Sequence, residues 1–464
     1  MRATRPFGAR AGIRAGARCG AVVVACLAVL LPAAVPAAAD DVRSTEYWLE
    51  DYGITEAWQT TQGDGVTVAV IDSGVDGSHP DLIGAVVGGT DASGAGDPSG
   101  QRGIGEVTGH GTLVGTLLAG RGHSAEPGVA PGGPAPGSSS TATAVPDSLA
   151  RYGRGPDGIV GVAPRADLLA VSVWIEGQNS GPNPAGIAVD DQIPAAVRWA
   201  VDNGADVINM SLGSTSTAWP ESWDDAFLYA EQNDVVIVAA AGNRAGGLAQ
   251  VGAPATIPGV LAVAGLDRSG VASAEASSEG ISIAVAAPSE DLVGGLPGGF
   301  YADWSGTSGA APLVSGVAAL IRSKYPELSA AQVVNRIVGT ARDAGAPGFD
   351  TLYGYGVLDV AAAVADGVTV PTTNRLGSMA EWIEVYRRGE IQDPTPAPVP
   401  AAPSTAEAIP VPAAPRAEEP GAVAGNLPAL VVLGFGALML VLMAGGALHV
   451  LAVRRRAAGA GENP

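Results

Sequence analysis

Residues 66–71 form an unbroken run of apolar and β-branched side chains, Val-Thr-Val-Ala-Val-Ile, which stops at Asp72-Ser73-Gly74. A run without polar alternation suits a strand covered on both faces, the situation of a parallel sheet. Comparable runs recur at 167–174, 205–211, 234–240, 260–264 and 281–286. Helical patterns separate several of them, at 194–203, 222–232 and 310–324, and another follows at 329–341. Strands alternating with helices predict an α/β fold with a mainly parallel central sheet. In such folds reactive groups gather at the carboxyl ends of strands and the amino ends of helices.

The flanks of this pattern carry different signals. Residues 1–39 combine five arginines, no acid, an apolar run of 11 from Ala21 to Leu31 and Ala37-Ala38-Ala39, the layout of a secretory signal peptide. Both cysteines, Cys19 and Cys26, fall inside it, so the expected mature chain has no disulfide to rely on. Residues 40–65 are polar with spaced aromatics (Tyr47, Trp48, Tyr52, Trp58) and read as an arm with short helical turns. The globular part is expected over 40–368, interrupted at 122–158 by a Gly-, Pro- and Ser-rich stretch that reads as a long, mobile surface loop. Residues 369–426 are expected to form a linker, with nine prolines between Gln392 and Pro420. Residues 427–453 hold no charge and are followed at once by Arg454-Arg455-Arg456. That is the pattern of a membrane-spanning helix with its trailing arginines inside, leaving 454–464 as a cytoplasmic tail. The expectation is a single-pass protein of the cell membrane with its domain outside. Between residues 40 and 453 there are 17 bases against 45 acids, a balance of −28, which argues against nucleic acid as a partner.

Three residues supply the parts of an activated nucleophile. Ser308 lies in Gly306-Thr307-Ser308-Gly309 at the start of a helical pattern. Taken alone, a serine there is a helix cap; the other reading is a nucleophile beside free N–H groups that favour an oxyanion. A hydroxyl needs a base, and the resulting imidazolium needs a carboxylate. His110, flanked by glycines at a helix start, and Asp72, at the end of the first strand, fit those roles. His79 precedes a proline in a turn and His123 falls in the predicted loop. Asn243, closing the strand at 234–240, offers a side-chain amide to pair with the Ser308 N–H as oxyanion donors. Ser211, Leu212 and Gly213, ending another strand, offer backbone against which an extended peptide could pair.

The blocks Val70-Ile71-Asp72-Ser73-Gly74, Gly109-His110-Gly111-Thr112, Ser211-Leu212-Gly213, Ala241-Gly242-Asn243 and Gly306-Thr307-Ser308 resemble, in order, the five signature blocks of subtilisin-like serine proteases. The resemblance covers about 45–365 and implies a subtilisin-like three-layer fold. It also implies a triad of Asp72, His110 and Ser308, an oxyanion donor in Asn243, and a substrate wall at Ser211–Gly213. His79-Pro80-Asp81-Leu82 resembles a family loop that supports structure without chemistry. Leu113 and Gly309 depart from the family, which often has His and a larger residue there; altered packing with the reaction kept is the expectation. Calcium sites occur in relatives, but no acidic cluster in this sequence can be assigned to one, and no cofactor is expected.

The short arm, the loop after His110, the Pro-rich linker and the carboxyl-terminal span together resemble a mycosin, a membrane-anchored protease of type VII secretion systems. That resemblance implies protein or peptide substrates and a secretion membrane complex as partner. Two other functions stay open on the sequence: a general cell-surface subtilase, and an inactive scaffold that binds partners through its α/β domain.

Overall fold

All six predicted strand segments lie in one parallel sheet of the computed structural model, which describes residues 39–124, 155, 157–175 and 181–387. Numbered in chain order, the strands of this sheet are β1 (Thr67–Asp72), β2 (Val86–Asp91), β5 (Asp167–Ser172), β6 (Val207–Met210), β7 (Val236–Ala240), β8 (Leu261–Leu266) and β9 (Ile283–Pro288). Their spatial order is β2-β5-β1-β6-β7-β8-β9. Strand β2 has no counterpart among the predicted runs. Its Gly88-Gly89 pair breaks the apolar signal, and it lies partly exposed at the sheet edge. Every residue of β6, β7, β8 and β9 is buried, so both faces of the sheet are covered, as the unbroken apolar runs required.

The chain crosses from one half of the sheet to the other around β1, which pairs with β5 on one side and β6 on the other. Loops leaving the carboxyl ends of β1 and β6 therefore diverge and open a crevice between them.

The helices are α1 (Ala39–Ser44), α2 (Trp48–Asp51), α3 (Ile54–Ala57), α4 (His110–Ala119), α5 (Val189–Asp202), α6 (Asp224–Gln232), α7 (Thr307–Lys324), α8 (Ala330–Thr340), α9 (Val360–Val364) and α10 (Met379–Tyr386). Helix α7 lies across β6 to β9 beside α4, while α5 and α6 pack on each other. Fifteen of the 18 residues of α7 are buried. Small side chains (Gly, Ala, Ser) make up much of the helix, which lets it approach its neighbours closely. The arm is pinned by its aromatics: Trp58 Nε1 donates to Val162 O at 2.7 Å and Tyr47 Oη to Glu290 O at 2.9 Å.

Two boundaries differ from the sequence reading. The stretch expected as a loop over 122–158 is ordered at both ends, where β3 (Arg121–His123) pairs antiparallel with β4 (Asp157–Val160). Glycine-rich composition hid this short ribbon. The folded unit also continues past 368. Asn335 Nδ2 donates to Pro371 O (2.8 Å) and Thr373 O (2.7 Å), α10 follows, and Arg387 pairs with Asp224 at 2.7 Å. A further unpredicted element is a hairpin of β10 (Leu292–Leu296) and β11 (Phe300–Trp304) that packs on α4. The expected signal peptide, apart from Ala39, and the expected membrane span at 427–453 lie outside the described residues. No described helix is long and apolar enough to cross a membrane.

Candidate active site

Asp72 is the last residue of β1 and is 3% exposed. One carboxylate oxygen accepts from the Ser73 N–H at 2.7 Å, fixing the side chain across the strand end. His110 is the first residue of α4 and brings its Nδ1 to 2.8 and 3.0 Å from the two Asp72 oxygens. A carboxylate only accepts, so Nδ1 carries the proton and Nε2 is left as the basic nitrogen. Burial pushes the His110 pKa down, but the Asp72 charge and hydrogen bond outweigh it, and the net shift is above the ordinary 6.5.

Ser308 is the second residue of α7, so its N–H has no intrahelical acceptor. The residue flanking the helix start is Gly306, without any side-chain cap, and the cap reading of Ser308 falls away. From Gly306 to Arg322, Ser308 alone is not buried. Its hydroxyl donates to Ser211 O at 3.2 Å; among the described residues it makes no hydrogen bond to His110.

Asn243 follows β7, and its Oδ1 accepts from both the N–H (2.8 Å) and the hydroxyl (2.9 Å) of Thr307. The Thr307 Oγ1 in turn accepts from the Gly242 N–H at 3.0 Å. This network fixes which end of the carboxamide is oxygen and leaves Nδ2 as a donor facing away from Thr307. Gly306 has φ 149°, and a Cβ there would sit 3.0 Å from Asn243 Nδ2. Any side chain at 306 would crowd that donor.

A cleft of about 230 Å³ begins at Asp72 and His110 and runs between Ile104–Val107 and Val173–Ile175 to Ser211, Leu212 and Gly213. The structure thus joins the expected wall to the His–Asp pair. Ser211, however, turns its own side chain inward; it is 3% exposed, and its hydroxyl donates to Ser308 O at 2.8 Å. The segments Ile104–Val107 and Val173–Ile175 are not among the predicted site residues. The second sits at the carboxyl end of a predicted strand and carries that positional signal; the first lies in irregular chain and carries none.

The two positions that depart from the family both lie against the hairpin β10–β11. A Cβ at Gly309 would meet Leu292 Cδ1 at 2.3 Å and Trp304 Cζ2 at 3.3 Å. The Trp304 indole, edge-to-face with His110 at 5.7 Å between ring centres, lies against the backbone at Gly309. Leu113 packs under Gly294 of the same hairpin. No group of three or more His, Cys, Asp or Glu side chains placed to hold a metal occurs among the described residues.

Residues 63–356 match the family model described as "Subtilase family". The chain belongs to the subtilases. The match covers both ends of the site, from the strand before Asp72 to the helices after Ser308, and members of this family are serine endopeptidases. Subtilisin DY of Bacillus licheniformis is 36% identical over 309 residues, which are 66% of this chain and 93% of that protein. Fervidolysin of Fervidobacterium pennivorans is 32% identical over 348 residues, 69% of this chain, but this chain spans only 44% of its length. Among solved structures, MycP1 with its N-terminal propeptide removed has a TM-score of 0.53 at 28% identity over 70% of this chain and 98% of that one. MycP3 from the type VII (ESX-3) secretion system has a TM-score of 0.52 at 31% identity, over 69% and 88%.

Proposed function

We propose that this subtilase is an extracellular, membrane-anchored serine endopeptidase that works through an acyl-enzyme and serves a type VII secretion system. The observation that carries the chemistry is the His110–Asp72 pair at 2.8 Å in a cleft also lined by Ser211, whose hydroxyl and carbonyl both bond to Ser308, the one residue from Gly306 to Arg322 that is not buried. In this reading Ser308 Oγ attacks the scissile carbonyl carbon while its proton passes to His110 Nε2. Asp72 stabilises the imidazolium and holds the ring. The new oxyanion accepts from the Ser308 N–H and Asn243 Nδ2. His110 then returns the proton to the leaving amine, and water enters by the same route in reverse to release the acid and regenerate Ser308. An extended substrate lies along the backbone of Ser211–Gly213, with the apolar side chains of the cleft beneath it.

Membrane attachment rests on the uncharged 427–453 stretch with its trailing arginines. The secretion role rests on likeness to MycP1 and MycP3. The test uses the full chain in its own membrane. Protease treatment of intact cells should remove the domain, and affinity capture should bring down the membrane complex of a type VII system. A gene neighbourhood without a secretion ATPase and small helical substrates, together with an empty capture, would leave a general surface subtilase. A second reading, an inactive scaffold, draws on the bond from Ser308 Oγ to Ser211 O in place of His110. Peptide hydrolysis that disappears in Ser308→Ala would remove it.

A further inference from the structure

Helix α7 contains a proline at position 312, four residues after Ser308. Proline has no N–H, so the Ser308 carbonyl, which should accept from residue 312, loses its helix donor. A buried carbonyl without a donor is costly, and here it belongs to the residue on which the proposed reaction turns. The structure fills the gap from the sheet. The Ser211 hydroxyl donates to Ser308 O at 2.8 Å, Asn209 Nδ2 donates to Ser211 Oγ at 2.9 Å, and the Ser315 hydroxyl donates to Asn209 Oδ1 at 2.8 Å.

The direction of every bond in this chain is fixed. Ser211 has one hydroxyl proton, and the Ser308 carbonyl can only accept it. Ser211 Oγ must therefore accept from Asn209, so the amide end of Asn209 faces Ser211 and its oxygen faces Ser315. Asn209 and Ser315 are fully buried, with no contact to the cleft. Ser315 lies two turns further along the same helix as Ser308, so the relay leaves α7, crosses the end of β6 and returns to α7.

Resting on the protease reading above, we infer that Asn209 and Ser315 are positioning residues for Ser308. They orient the Ser211 hydroxyl so that it replaces the hydrogen bond removed by Pro312, and so hold the Ser308 carbonyl and N–H in register with Asn243. Neither touches substrate.

The test exploits polarity. Asn209→Asp preserves shape, but the ionised carboxylate it introduces has no proton for Ser211. The Ser211 hydroxyl would then turn to that carboxylate and release Ser308 O. The same group in its protonated form can donate as the amide does. In the full chain solubilised in detergent, Asn209→Asp should lower kcat at pH 8 about tenfold or more, the size of one well-aligned hydrogen bond, with KM within twofold. The ratio of variant to wild-type kcat should climb towards one as pH falls and the introduced carboxyl group protonates. Melting is followed over the same pH range and kcat is taken per folded enzyme, because a merely structural role would lower the folded fraction and leave that ratio flat. Ser315→Ala, a smaller change in case Asn209→Asp does not fold, should lower kcat about threefold at unchanged KM, because Asn209 keeps its bond to Ser211 and loses only its orienting donor. Wild-type turnover with both variants within 1.5-fold, or a ratio flat from pH 5.5 to 9, overturns the relay alone. Absence of Ser308-dependent turnover in the wild type overturns the protease reading and the relay with it.

Discussion

Among the described residues, two histidine–carboxylate pairs have nearly equal geometry. His110 Nδ1 lies 2.8 Å from Asp72, and His123 Nδ1 lies 2.7 Å from Asp81. The two imidazoles are equally exposed, at 25% and 26%, and both have pKa values above the ordinary 6.5. The distance and titration of the pair therefore do not distinguish a candidate catalytic site from a structural one; what surrounds the pair does. Asp81 is fully buried and also accepts from the Tyr301 hydroxyl (2.8 Å) and the Ile159 N–H (2.9 Å). It joins β4, the hairpin β10–β11 and the His79-Pro80-Asp81-Leu82 turn in one clamp. Asp72 instead stands at the strand end where the winding of the chain reverses, on the wall of a cleft that it shares with His110 and Ser211.

The largest test of this contrast is deletion of each half-pair. His110→Ala and Ser308→Ala should each cost on the order of 10⁴–10⁶ in kcat, the scale measured in a member of this family, while melting stays near wild type. His123→Ala should leave kcat within about twofold. If His123→Ala abolished turnover in a folded protein, the contrast would fail. Asn243→Ala should come next, at about 10²–10³ in kcat with little change in KM, again a magnitude from this family. Equal activity of Asn243→Ala and wild type would reject Asn243 as the oxyanion donor.

The buried clamp should show itself in stability. Asp81→Ala removes one acceptor from three donors and should destabilise the domain by about 3 kcal/mol, read from chemical denaturation. The smallest effect is expected for His123→Ala, at about 1 kcal/mol. Its pH dependence has a definite sign. His123 is held above its unfolded pKa, chiefly by the hydrogen bond to Asp81, so it binds its proton more tightly in the folded state. The stabilisation is fully present below about pH 6.5 and fades as pH rises through the raised folded value. The gap between wild type and His123→Ala should narrow over that interval; a gap that widens would contradict the pairing. Activity should run the other way. His110 must be neutral to act as a base, so kcat/KM should fall as pH drops through its raised pKa.

How much of this can be read in the sequence follows the same divide. Strands buried on both faces announce themselves as apolar runs, which is why all six expected strands occur and why Asp72 and Asn243 are recognisable at their carboxyl ends. Strand β2, the β3–β4 ribbon and the hairpin β10–β11 are not legible, because glycine carries no periodic signal and edge strands need no apolar run. For the same reason the sequence places His123 in a loop and gives no hint of its partner. The relay through Asn209 and Ser315 is equally hidden. Neither residue belongs to a recognisable block of chemistry, and only the fold brings position 209 against position 315. Pro312 is visible, but the consequence of its missing N–H depends on what stands opposite the helix.

The central claim is that Ser308 is a nucleophile activated by His110 and Asp72. Its most direct test is the second-order rate at which a fluorophosphonate labels the full-length protein, with the modified residue mapped by mass spectrometry. A single label on Ser308 is predicted, formed more slowly as pH falls through the His110 pKa and absent from Ser308→Ala. No label on folded wild type, or a label that persists in Ser308→Ala, would contradict it.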